Sequence, residues 1–136
     1  MLFRSVGTMA RIIVIDDNDA ARGTMRRVLE KGGHQVLEAS DGEAGLKLLA
    51  ETGGTLVITD IFMPGHDGIV TLRRIKKEFP GVRVIAVSGG DATGRIDPRE
   101  GAELLGAARI LRKPFAPGEL RRGVEETLAL DEETPS

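Results

Sequence analysis

The feature that most constrains this chain is a regular alternation of short β-branched runs with segments of helical spacing. The runs lie at residues 11–16 (RIIVID), 35–39 (QVLEA), 55–60 (TLVITD), 82–87 (VRVIAV) and 109–112 (RILR). Several are apolar on consecutive positions, as strands covered on both faces must be. Between them the apolar residues fall at helical intervals. Ala21, Met25, Val28 and Leu29 mark a first helix that stops at Gly32-Gly33. Ser40 to Glu43 reads as a capping box opening a second, with Leu46 and Leu49 on one face and Gly53-Gly54 beyond its end. Ile69, Leu72 and Ile75 line a third, closed by Pro80-Gly81. Asp97-Pro98-Arg99-Glu100 supplies an N-cap, a first-turn proline and a first-turn acid for a short fourth, weakened by Gly101. Pro117, Leu120, Val124 and Leu128 mark a fifth. Five strands alternating with five helices predict an α/β fold with a parallel sheet and helices on both faces. Right-handed crossovers make a doubly wound five-stranded sheet of order 2-1-3-4-5 the economical topology.

Composition narrows the function. The chain has 136 residues, enough for one domain with its own core. It has no cysteine, which removes disulfides, thiolate metal sites and thiol nucleophiles and fits a reducing, cytoplasmic setting. A net charge of −2 gives no electrostatic footprint for nucleic acid or an anionic membrane. The only aromatic residues are four Phe, so stacking platforms for bases or sugars are not expected. No apolar run approaches the length of a membrane span. Residues 1–9 read as a leader, disordered or of cloning origin, with Met9 a candidate start; residues 10–130 read as the domain and 131–136 as an acidic, frayed tail.

In open α/β sheets ligands bind outside the carboxyl ends of the strands. The first strand ends in Asp16-Asp17, the third in Asp60, the fourth in Ser88 and the fifth in Lys113. Taken singly, an Asp that closes a strand is as readily the N-cap of the next helix. A lysine after a strand is ordinarily solvated, and Ser88 before Gly89-Gly90 is a common turn residue. The conjunction on one rim is what these readings do not explain. Three crowded carboxylates repel one another unless a cation or proton joins them. Neither histidine ends a strand, so the available ligands are hard oxygens, which favour Mg²⁺ with several retained waters and a phosphate partner. Lys113 can neutralise one carboxylate and then pair with a phosphoryl oxygen, and Ser88 can donate to another. The implied chemistry is in-line phosphoryl transfer onto a carboxylate.

These residues carry a resemblance. The chain resembles the receiver domain of bacterial two-component response regulators, in the single-domain form typified by the chemotaxis regulator. The matching pieces are Ile13-Val14-Ile15-Asp16-Asp17, Asp60-Ile61-Phe62-Met63-Pro64 with Asp67-Gly68, Ser88-Gly89 and Lys113-Pro114-Phe115. The resemblance spans about Arg11 to Leu130 and implies a flavodoxin-like (βα)5 fold. It also implies that Asp60 is the phosphoacceptor, and that Asp17, Asp60 and the Phe62 backbone carbonyl bind Mg²⁺ directly, with Asp16 acting through water. Ser88 and Lys113 would contact the phosphoryl group, and Lys113-Pro114 would be a cis peptide. The implied partners are a sensor histidine kinase or histidine phosphotransfer protein and a downstream protein target, with the chain a monomer or weak dimer. It would catalyse only its own phosphorylation and dephosphorylation. Three positions depart from the commonest pattern: Ile110 stands where an aromatic switch residue is usual, and Phe62 and Gly90 stand where some relatives carry polar side chains.

Other residues have plainer expectations. His34 and His66 read as solvated, Arg22 and Arg26 as an ordinary charged helix face, and Gly65 and Gly68 as turn residues near the acceptor. Three other functions compete. An aspartyl phosphatase needs a second acid two residues after its nucleophile, where this chain has Phe62. A flavin carrier needs a Ser/Thr/Gly-rich phosphate loop, where this chain has Asp16-Asp17-Asn18-Asp19. A degenerate receiver that only docks would not need an intact acidic rim.

Overall fold

The computed structural model describes residues 9–63, 66–89 and 106–133. Its elements in chain order are β1 (Arg11–Ile15), α1 (Asp19–Lys31), β2 (Gln35–Ala39), α2 (Gly42–Thr52), β3 (Leu56–Asp60), β4 (Phe62–Met63), β5 (His66–Asp67), α3 (Gly68–Glu78), β6 (Arg83–Ser88), β7 (Arg109–Arg112) and α4 (Pro117–Glu133). The five long strands form one parallel sheet in the order β2-β1-β3-β6-β7. Counted among themselves they run 2-1-3-4-5, the expected doubly wound, flavodoxin-like order. The helix expected from Asp97 lies outside the described residues. The two-residue strands β4 and β5 make a small antiparallel ribbon that the sequence pattern did not announce.

The consecutive apolar residues are explained by two separate cores. Successive side chains of a strand point to opposite faces, so β1 sends Ile13 and Ile15 one way and Ile12 and Val14 the other. The first face is covered by Leu46 and Leu49 of α2 and Leu72 and Ile75 of α3. The second is covered by Met25 and Leu29 of α1 and Leu120 and Val124 of α4. A strand buried on both faces cannot alternate apolar with polar residues, which is why RIIVI reads as it does.

The register aligns the carboxyl ends. Ile15 lies opposite Ala39 and Thr59, Asp60 opposite Val87, and Ser88 opposite Arg112. Strands 1, 3, 4 and 5 of the sheet therefore finish at one rim, and the residues just after them share it.

Three local expectations are corrected. The N-cap of α2 is Asp41, whose side chain accepts from Ala44 N at 2.8 Å; Ser40 is one residue too early, and Glu43 pairs instead with Arg74 of α3 at 2.9 Å. His34 is not solvated: it is only 7% exposed, and its Nδ1 accepts from the Ala10 backbone N–H at 3.1 Å. Burial lowers its pKa from the ordinary 6.5, with Glu125 opposing that effect. Finally, α4 continues to Glu133, into the stretch read as tail. At the end of α2, Gly53 takes φ 70°, the left-handed conformation a glycine adopts without strain.

Candidate functional site

The rim gathers the residues that the sequence singled out. Asp16 follows β1 and is 0% exposed, Asp60 ends β3 at 6%, and Asp17 is exposed. Carboxylate oxygens of all three lie within 4.8 Å of one another, a cluster able to hold a metal ion. Lys113, just after β7, reaches over it. Its Nζ donates to Asp60 Oδ2 at 2.8 Å and to Asp16 Oδ2 at 3.2 Å, so one ammonium serves two carboxylates. Burial pulls the Lys113 pKa down, but the hydrogen bonds and charges of Asp60 and Asp16 outweigh it, and the net shift is upward. The Lys113–Pro114 peptide is cis, as the resemblance implies.

Backbone bonds fix these side chains in place. Lys113 N donates to Ser88 O at 2.9 Å, and Ile61 N to Val87 O at 3.0 Å. Asp16 is tethered through every polar group: its N donates to Ala39 O, its Oδ1 accepts from Asn18 N at 2.9 Å, its Oδ2 takes Lys113, and its carbonyl accepts from Arg22 Nη1 at 2.6 Å. Neither Asp16 nor Asp17 caps α1. That role belongs to Asn18, whose side chain accepts from Ala21 N at 2.8 Å. Both aspartates are thereby released from the bland explanation.

Ser88 ends β6, is wholly buried, and its Oγ has no hydrogen-bond partner. A buried hydroxyl left unpaired is costly and asks for a reason. The donor set here is all oxygen with one ammonium, which fits a hard divalent cation and an anionic, oxygen-rich group together.

Gly68 serves a purpose other than turn geometry. A Cβ there would lie 2.6 Å from the Asp60 carbonyl oxygen and 2.5 Å from Ile61 Cα, so α3 can begin against the Asp60-Ile61 segment only with glycine. Arg22 and Arg26 are likewise no plain solvated face. Both clasp Glu38 of β2, Arg22 at 2.9 Å and Arg26 at 2.9 Å, and Arg22 also reaches Asp19. The signal was present in the sequence, since Glu38 is a lone acid in an otherwise apolar strand core. Ile110 sits on β7 opposite Ala86 and is 39% exposed. Phe62 opens the ribbon β4 two residues beyond Asp60. Gly65, Gly90 and the His66 side chain lie outside what is described. A groove of about 370 Å³ runs beside Lys113, between Ala20, Ala21, Thr24 and Met25 of α1 and Pro114-Phe115.

Fold and site together define a doubly wound α/β domain with an acidic, lysine-capped pocket at the strand ends, and comparison with known proteins places it in a family. The response regulator receiver domain family matches residues 12–125. The chain is 32% identical over 120 residues to sporulation initiation phosphotransferase F of Bacillus subtilis, covering 88% of this chain and 94% of that one. It is 35% identical over 106 residues to the response regulator protein FleR of Pseudomonas aeruginosa, covering 78% of this chain but 22% of that one. Among solved structures, a response regulator receiver domain protein from Clostridium thermocellum superposes with a TM-score of 0.79 at 33% identity, covering 90% of this chain and 97% of that one. A CheY-like receiver domain protein from Methanospirillum hungatei superposes at 0.84 with 26% identity, covering 93% and 98%. The chain belongs to the response regulator receiver domain family of two-component signalling. Among the described residues no helix is long and apolar enough to cross a membrane.

Proposed function

We propose that this receiver accepts a phosphoryl group on Asp60, with Mg²⁺ held by Asp17, Asp60 and the Phe62 carbonyl and by Asp16 through water. The single observation that carries the reading is the convergence on one strand-end rim of Asp16, Asp17 and Asp60, with carboxylate oxygens within 4.8 Å of one another, and of the Lys113 ammonium bonded to Asp16 and Asp60. The donor is a sensor histidine kinase or histidine phosphotransfer protein, and the B. subtilis relative is itself named a phosphotransferase. The groove between α1 and Pro114-Phe115 lies beside Lys113, next to the rim where such a donor would dock.

An Asp60 carboxylate oxygen attacks phosphorus as the donor's N–P bond breaks; the electron pair leaves with the imidazole, and an acyl phosphate forms. When bound, the divalent cation supplies charge neutralisation between carboxylates and phosphoryl oxygens. Lys113 holds the Asp60 carboxylate before transfer and can shift to a phosphoryl oxygen after it. The unpaired Ser88 Oγ is a donor for another. The chain promotes only its own phosphorylation and hydrolysis, acts in the cytoplasm, and reports to a downstream protein rather than to nucleic acid or membrane. It does so as a monomer or weak dimer.

Intact-mass spectrometry after incubation with acetyl phosphate and Mg²⁺ tests this reading. One phosphoryl adduct is expected in the wild type and none in Asp60→Asn, which keeps the side chain's shape but loses the anionic oxygen. An adduct that persists in Asp60→Asn would refute the assignment.

A further inference from the structure

Arg22 is a densely connected cation just outside the acidic rim. Its side chain is only 13% exposed, yet it makes three charge-assisted contacts: Asp19 Oδ1 at 2.6 Å, Glu38 Oε1 at 2.9 Å and the Asp16 carbonyl oxygen at 2.6 Å. The first two satisfy its charge. The third is of a different kind, because it joins a β2-anchored guanidinium to the backbone of a residue that forms the acidic pocket. Arg22 meets its three acceptors through three different nitrogens of its planar fork, Nε, Nη1 and Nη2, a spread that the single nitrogen of an ammonium does not span.

We propose that Arg22 is a positioning residue for the cation: by gripping the Asp16 carbonyl from the Glu38 anchor, it fixes the turn that presents Asp16 and Asp17. This rests on the reading of those carboxylates as a cation site. Asp16 has its amide, both carboxylate oxygens and its carbonyl bonded, whereas Asp17, the exposed neighbour, depends on that peptide for its direction. Releasing the carbonyl frees the peptide linking them to rotate, and Asp17 then spends part of its time aimed away from Asp60. A ligand that must be ordered on binding binds more weakly. Removing the hydrogen-bonded support of metal ligands ordinarily costs about 10- to 100-fold in affinity, so roughly tenfold, the low end, is expected for a weak, water-rich site.

Arg26 supplies the control. It lies on the same helix and bonds the same Glu38 at 2.9 Å, but its other partner is Glu30, and neither acid belongs to the pocket. The full chain and its Arg22→Ala, Arg22→Lys and Arg26→Ala variants are titrated with MgCl₂ by amide chemical shift, and each is melted in parallel without the metal. Arg22→Ala should weaken Mg²⁺ binding by roughly tenfold, Arg22→Lys by less, and Arg26→Ala not at all even where it lowers the melting temperature. Should Arg22→Ala fail to fold, Arg22→Lys against Arg26→Ala decides the question. Unchanged affinity in the Arg22 variants overturns the proposal, and so does a loss that Arg26→Ala shares in proportion to its melting temperature. A wild type that binds no Mg²⁺ overturns the cation reading, and this proposal with it.

Discussion

Gly68→Ala tests the account of the acceptor segment most directly. The added Cβ would sit 2.5 Å from Ile61 Cα, 2.6 Å from the Asp60 carbonyl oxygen and 3.0 Å from Ile61 Cγ2. Favourable carbon contacts lie near ~3.5–4.0 Å, so the overlap with Ile61 Cα is about 1 Å. Two of the three atoms are backbone, which cannot rotate away as a side chain can. Overpacking of this kind costs ~1–3 kcal/mol. Alanine's better helix propensity returns at most ~1 kcal/mol, and less at a first-turn position. The net is a loss of about 1–2 kcal/mol, or a melting temperature lower by roughly 4–7 °C in a domain of this size. Circular dichroism melts of Gly68→Ala should be compared with Gly81→Ala, where an added Cβ meets nothing within 4 Å. Because the displaced atoms belong to Asp60 and Ile61, acetyl phosphate labelling should slow even at temperatures where Gly68→Ala is fully folded. Gly68→Ala melting together with wild type and Gly81→Ala, and labelling as fast, would refute the close-approach argument.

Asp17→Asn should raise the melting temperature without Mg²⁺, since it relieves repulsion among three carboxylates, and should abolish the further rise that Mg²⁺ gives the wild type; a variant that still responds to Mg²⁺ breaks the ligand assignment. His34 is held neutral by burial, so the unfolded chain takes up a proton below the ordinary value of 6.5 while the folded chain resists it. Stability contributed by His34 is therefore present above pH 6.5 and lost as the pH falls through that value toward the depressed folded pKa; denaturant melts of His34→Gln should show a flatter pH dependence than wild type, and identical slopes would contradict the burial argument. Beryllofluoride, a phosphoryl mimic, should change hydrogen-exchange protection at Ser88 and along β7 through Lys113; changes confined to α1 and α2 would contradict a response carried by the joined ends of β6 and β7.

The sequence carries whatever is decided within one element. β2 and β7 have the boundaries their β-branched runs predict, and strand order follows from handedness once five strands and their crossovers are recognised. The pocket was legible because the register brings residues that end strands to one rim, which needs no side-chain detail. What escaped depends on partners distant in the chain. Ser40 and Asp41 are equally good caps by type; the choice falls to Asp41 because Glu43 is drawn outward to Arg74, 31 residues on. His34 looks like a solvated residue before a strand, but its backbone N bonds Leu29 O after the Gly32-Gly33 turn, and the ring is covered by the chain entering β1. Thr127 occupies an inward position of α4 beside Val124 and is 1% exposed, although its type gives no apolar signal. Gly45 carries no apolar signal either, yet a Cβ there would lie 2.3 Å from Ile15 Cδ1 and 2.7 Å from Ile15 Cγ1, so its lack of a side chain lets α2 pack closely on β1.

The acidic rim is a poor arrangement for stability alone. Three carboxylates stand against one ammonium, and two of the three are buried, so repulsion acts where solvent screens least. A chain selected only to fold would replace Asp17 or Asp16 with a neutral residue; retaining both makes sense where the excess charge is used. On the proposed function, transfer turns the Asp60 monoanion into a group of nearly double the charge at the same point. The demand on positive and donor groups then rises where Lys113 and the unpaired Ser88 hydroxyl wait. These two are not independent, because Lys113 N is bonded to Ser88 O. A pull on either side chain therefore acts on the joined ends of β6 and β7 together. Three residues back along β7, Ile110 is part-exposed and can make no hydrogen bond through its side chain. On the proposed function, a displacement of the joined ends of β6 and β7 reaches the Ile110 side chain as a change in apolar packing, beside the exposed Arg112 on the same strand face.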